Sequence, residues 1–147
     1  MNLILNKIKL GLICDVKGGK RLPKGHSLTS LKTTHPYIRI RDLNNHGLPI
    51  NIEDLEYIEE ETFLAISKYI VNTGDIILSN VATIGLVVEI QEALNKANLT
   101  ENCVKLTNFS KGYNSQYIKY FLLSKYGTNE MNKLTVGAVQ TKLAIFR

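Results

Sequence analysis

Residues 72–90 read NTGDIILSNVATIGLVVEI, and this stretch sets the architecture. Asn72-Thr73-Gly74-Asp75 is turn chemistry, with Asp75 placed to bond its own turn backbone and launch a strand. Ile76 to Leu78 is then a short apolar, β-branched run, which reads as a buried strand. Ile84 to Ile90 is a second run of the same kind, and Cys103 to Leu106 a third. Between the first two lie Ser79, Asn80 and Thr83 beside Gly85, small hydrogen-bonding residues at a strand end. Plain turn chemistry accounts for them; so does contact with phosphate or base edges.

Upstream, Asp54 to Ser67 is acidic and then apolar, which predicts a helix starting close to Glu59 with acids in its first turn. Tyr37 to Leu43 alternates: Tyr37, Arg39 and Arg41 on one side, Ile38, Ile40 and Leu43 largely on the other. Period two predicts a half-buried strand opened by Pro36. Leu10 to Val16 is a short helix or edge strand that stops at Gly18-Gly19, and Lys20 to Gly25 is a basic loop stiffened by Pro23. Downstream, Asn114 or Ser115 caps a helix running through Tyr117 to Lys125, with Gly127 ending it. A second short helix covers Asn129 to Leu134, and Val136-Gly137-Ala138 is a loop. The expected fold is α+β: one compact domain over residues 1–147, a twisted mixed or antiparallel sheet, a few short helices, and a helical C-terminal third.

The 147 residues suffice for one core, and 44% hydrophobic with 21% charged is ordinary for a globular protein. No apolar run is long enough for a membrane span or a secretory signal. Cys14 and Cys103 have neither disulfide nor metal-ligand spacing and read as buried apolar residues in a reducing cytoplasm. The net charge of +5 is unevenly spread. Residues 1–50 carry nine Lys/Arg against two Asp/Glu, residues 51–101 two against ten, and residues 102–147 seven against one. If the two basic segments share a face, that face suits a polyanion.

Several chemistries are absent or weak. GGKRLPKG lacks the ending of a phosphate-binding loop, and no dinucleotide fingerprint occurs. His26, His35 and His46 lack zinc-enzyme spacing and read as solvated loop histidines. His35-Pro36-Tyr37 echoes an amino-methyltransferase element only faintly. Asp75 and Glu89 form a carboxylate pair of the kind a metal-dependent nuclease uses, although Gln91 stands where a lysine belongs. Neither a metal nor a cofactor is expected. The positive signal is cationic. Lys20, Arg21 and Lys24 suit phosphates, which position a protein without reading sequence. An Arg39 or Arg41 fork suits a guanine edge, and Gln140 an adenine edge with Lys142 beside it. Asn44 and Asn45 are weaker candidates. A protein-interaction module built on the acidic middle segment is the remaining alternative.

GKRLPKG (19–25), PYIRIRDL (36–43), NTGDIILSN (72–80), ATIG (82–85) and VGAVQTKL (136–143), in this order, resemble the target recognition domain of a type I DNA restriction-modification specificity subunit. The resemblance implies a module that reads one half-site of double-stranded DNA and does no chemistry. It also implies a DNA methyltransferase subunit and a restriction subunit as partners. Ala82 stands where the family usually has Gly, and Thr141 where it usually has Pro. No stretch matches the family's long spacer helices, so the chain is expected to be an excised or truncated unit in which methyltransferase docking and half-site spacing are not secured.

Overall fold

The computed structural model describes residues 6–43, 46–136 and 142–143, Val136 and Lys142 by their backbone alone. A 3₁₀ turn at Leu10–Leu12 leads into β1 (Asp15–Gly18), and a long loop connects it to β2 (Pro36–Ile38). Then come β3 (Glu56–Tyr57), α1 (Glu60–Ile66), β4 (Ile76–Ser79), β5 (Val87–Glu89), β6 (Asn98–Leu99) and β7 (Cys103–Thr107). Two helices, α2 (Ser115–Leu123) and α3 (Lys125–Lys133), and a ribbon of β8 (Thr135–Val136) with β9 (Lys142–Leu143) complete the order.

The three apolar runs of the sequence are β4, β5 and β7. They belong to a four-stranded antiparallel sheet ordered β1-β7-β4-β5. Alternation across this sheet divides the core. Val16, Leu106, Ile76, Leu78 and Val87 face the side covered by Ile118, Leu122 and Met131 of α2 and α3. Ile77, Val88 and Cys103 face the opposite side. There they meet Ile38 and Leu99 from a second, three-stranded sheet ordered β3-β2-β6, in which β2 and β6 are parallel. Each fully buried Ile or Leu contributes about 1.5–3 kcal/mol of transfer free energy, so these two layers outweigh any surface term. The expected α+β class stands.

Three expectations are corrected. The predicted strand Tyr37–Leu43 ends at Ile38, and Ile40–Leu43 is a 3₁₀ turn. The reason is local: the Asp42 carboxylate accepts the Arg39 N–H at 2.7 Å, which bends the chain where alternation would have carried it straight. Gly127 does not terminate α2. Ser124 breaks the helix in an extended conformation and caps α3, its hydroxyl accepting the Gly127 N–H at 3.2 Å. Gly127 is buried there, and only glycine fits, because a Cβ would lie 2.2 Å from the Phe121 carbonyl oxygen. Two of the three histidines are partly buried and partnered rather than free in solvent. His35 stacks on Phe63 at 3.9 Å and pairs with Glu60 at 2.5 Å, and His26 Nδ1 lies 2.7 Å from the Thr62 hydroxyl. Both tie the loop after β1 to α1. The helix starting near Glu59, the Asn114 cap and the burial of both cysteines agree with the sequence reading. Burial, then nearby carboxylates, pushes the Cys14 thiol to about 11 and the Cys103 thiol to about 12, so neither forms a thiolate readily.

Candidate nucleic-acid interface

Antiparallel order brings three connections to one end of the four-stranded sheet. They are the basic loop leaving β1 at Gly18, the Asn80–Leu86 connection between β4 and β5, and the Thr100–Asn102 turn entering β7. The turn is the hub. Gly19 N–H donates to Cys103 O at 3.1 Å, Lys20 N–H to Leu99 O at 2.8 Å, and Asn80 N–H to Asn102 O at 3.0 Å. Gly19 is required by closeness: a Cβ would lie 2.1 Å from the Thr100 carbonyl oxygen. Thr100 N–H also donates to Ile38 O at 3.0 Å, so β2 ends beside the same turn. From the far end of the chain, Leu143 N–H donates to Asn80 O at 2.9 Å and docks β9 here. The loop that carries Lys20 and the strand that carries Lys142 therefore lie at the same end of the sheet.

Within this end the predicted residues have different fates. Lys20, Arg21 and Lys24 are exposed. Lys20 Nζ sits 5.6 Å from the centre of the Tyr69 ring, and Tyr37 OH donates to the Lys20 carbonyl at 2.7 Å. Arg21 Nε donates to Glu101 Oε1 at 2.8 Å. Burial by itself would raise the Glu101 carboxyl. The bonds from Arg21, its own backbone and Thr100 outweigh that and hold it below the usual glutamate value. Ser79 is not available to a ligand: it is fully buried, and its hydroxyl accepts the Leu86 N–H at 2.9 Å to close the connection. Thr83 is exposed, and the Asn80 side-chain oxygen is buried without a hydrogen-bond partner. Ala82 takes φ 60°, the left-handed conformation that explains why glycine is the family's residue here. Lys142 is placed by its backbone in β9, while Gln140, Asn44, Asn45 and the 137–138 part of the predicted loop lie outside the described residues.

Arg39 and Arg41 do not project together from a strand. Both turn to Glu56 in β3: Arg39 Nη2 is ion-paired to it, and Arg41 Nη2 lies 3.4 Å from the same Oε2 and 3.3 Å from Asp54 O. Arg39 is half-buried and Arg41 largely exposed. Sequence reading missed Glu56 and Glu101 as the residues that hold the arginines. The only available signal was the acidic middle segment lying between two basic ones.

The two carboxylates of the nuclease alternative are separated. Asp75 is buried and accepts the Asn72 N–H at 2.8 Å, the turn role read from sequence. Glu89 is paired with Ile76 in register and takes a hydrogen bond from Gln116 of α2, so it belongs to the helix-covered face. They cannot share one metal ion. Among the described residues no group of three or more His, Cys, Asp or Glu is arranged to hold one.

The family model described as type I restriction modification DNA specificity domain matches residues 5–146. The chain belongs to this family. Solved structures agree on the fold of the specificity domain. A chain from a study of complex assembly and conformational transition of the type I R-M system superposes with a TM-score of 0.64 at 16% identity, over 86% of this chain and 28% of that one. The HsdS subunit from Thermoanaerobacter tengcongensis gives 0.65 at 15% identity, over 92% and 32%. The type I restriction-modification S subunit from M. genitalium gives 0.55 at 16% identity, over 98% and 34%. The chain thus spans about a third of the length of these solved relatives. Comparison with curated protein sequences returned no match.

Proposed function

We propose that this domain reads one half-site of double-stranded DNA as the specificity module of a type I restriction-modification system, with no catalysis of its own. The observation that carries the reading is the convergence at one end of the sheet. Lys20 and Arg21 on one connection, which runs on to exposed Lys24, the Asn80–Leu86 connection with Thr83, and the β9 strand bearing Lys142 come together at the end of the sheet that carries the Thr100–Asn102 turn. Cations there attract phosphates by counterion release, and the small polar residues and Gln140 supply hydrogen bonds for base edges. Ser79 and Arg39 shape and brace this surface; Arg41, loosely held, is the arginine free to leave Glu56 for a guanine. In the full assembly the module works with a DNA methyltransferase subunit and a restriction subunit in the cytoplasm, as a single DNA-reading unit over residues 1–147. Among the described residues no helix is long and apolar enough to cross a membrane.

The test is a titration of the chain against random duplex at about 50 and about 200 mM salt, a range over which phosphate contacts lose affinity steeply. Binding that weakens sharply with salt is expected. Salt-insensitive binding, or none at the lower concentration, contradicts the reading.

A further inference from the structure

Lysines outside the predicted site form a line of their own on the same flank. Lys17 of β1 is in direct register with Lys105 of β7, so both side chains stand on one face of the sheet. The row continues inward to Ile77 and Val88, which are buried. Lys105 is half-buried, and its ammonium donates to Ile70 O at 2.6 Å. Beside it Lys96 is exposed in a loop, its Nζ donating to Asn72 Oδ1 at 2.9 Å. Tyr69, next to Ile70 in the chain, carries Lys20 over its ring, which joins this line to the basic loop.

Acid does little to balance the row. Asp15 lies 3.9 Å from Lys17 and is also bonded by Asn108, while Asp75 is buried and engaged by Asn72. Like charges directly opposed across two strands are unfavourable. Burial first, then Lys17 and Lys96, lower the Lys105 pKa against the pull of Asp75. A lysine on an edge strand such as β1 is commonly explained as protection against edge-to-edge pairing. That explains Lys17. It does not explain Lys105, which sits on an interior strand, or Lys96, which sits in a loop with φ 72°.

We infer that Lys17, Lys105 and Lys96 form a backbone-phosphate track that continues from Lys20 along the flank of the sheet. The inference rests on the DNA-reading function proposed above and extends it to a second run of phosphates outside the bases being read. Such contacts add affinity equally for every sequence and leave discrimination unchanged.

The experiment measures fluorescence anisotropy of a labelled random duplex with the whole chain over a salt series. It compares the native chain with Lys17→Gln/Lys96→Asn/Lys105→Met. Asn tolerates the left-handed backbone at 96, and Met retains the aliphatic stem at 105. Each phosphate contact contributes about 0.9 to the slope of log K against log salt, so the triple variant is expected to lose about 2.7. The affinity loss is expected to be the same for any duplex. Lys119→Gln/Lys125→Gln, on the helical side, is expected to leave the slope unchanged. If the triple variant does not fold, Lys17→Gln/Lys96→Asn is read instead, with an expected loss of about 1.8. An unchanged slope in a folded variant, or an equal loss in the helical control, overturns the track while native binding stands. A native chain that binds no duplex removes the parent reading, and the track with it.

Discussion

Two corners of this molecule hold arginine against glutamate, and they differ in how firmly. At the loop-bearing end of the sheet Arg21 is largely exposed and tethered by Glu101, in a loop that also exposes Lys20 and Lys24. At the β2–β3 corner Arg39 and Arg41 converge on Glu56; the two glutamates are equally exposed, and the difference lies in Arg39, 26% exposed against 79% for Arg21. An exposed arginine exchanges its partner for phosphate at small cost, whereas a half-buried one also gives up its packing and its place beside the carboxylate. Equal residues in sequence are thus unequal as ligands. The acidic middle segment decides which arginines are held and which cations are left to solvent.

The largest expected effect concerns the turn that organises the loop-bearing end. Gly19→Ala forces its Cβ onto the Thr100 carbonyl and is expected to destabilise the fold by about 3 kcal/mol, read by thermal unfolding. An unaltered melting temperature would show that the turn yields easily and that the end is not rigid. Next comes a contrast between the two glutamates. Glu56→Gln is expected to cost about 1–2 kcal/mol, between the values for exposed and fully buried pairs, and to strengthen duplex binding by releasing Arg41. Glu101→Gln is expected to strengthen binding with little change in melting temperature. Equal destabilisation by both variants would erase the distinction between the corners.

Much of the fold was legible because short apolar runs of β-branched residues can do little else. The cores of β4, β5 and β7 come from Ile76–Leu78, Val87–Val88 and Cys103–Leu106, and the cap of α2 from Asn114. The misreadings trace to side chains acting on the backbone a few residues away. Asp42 bending the chain at Arg39 and Ser124 starting α3 both overrode periodicity. The site was legible as a set of cations near turns, not as geometry. Arg21 finds Glu101 eighty residues away. Ser79, chosen for its hydroxyl, is buried by the strand pairing that local sequence cannot reveal.

Smaller effects sharpen the picture of the loop-bearing end. Ala82→Gly relieves the left-handed alanine, worth about 1–2 kcal/mol, at the expense of greater unfolded-chain freedom; a net gain of about 0.5 kcal/mol is expected in chemical denaturation. A loss instead would show that the alanine packs against something that matters. Glu101 supplies the smallest effect. Because its folded pKa is held below the unfolded one, its contribution is fully present above the ordinary glutamate range and is lost as pH falls through the lower, folded value. Acid unfolding of Glu101→Gln should lack that component, and an identical acid limb in both proteins would contradict it.

The most direct measurement compares salt-dependent duplex binding of Lys20→Gln/Arg21→Gln/Lys24→Gln with that of the native chain. Weaker binding at every salt concentration is predicted, with a slope reduced by about 2.7, one increment for each cation removed. Undiminished affinity and slope in a folded triple variant would contradict the placement of DNA at this end of the sheet.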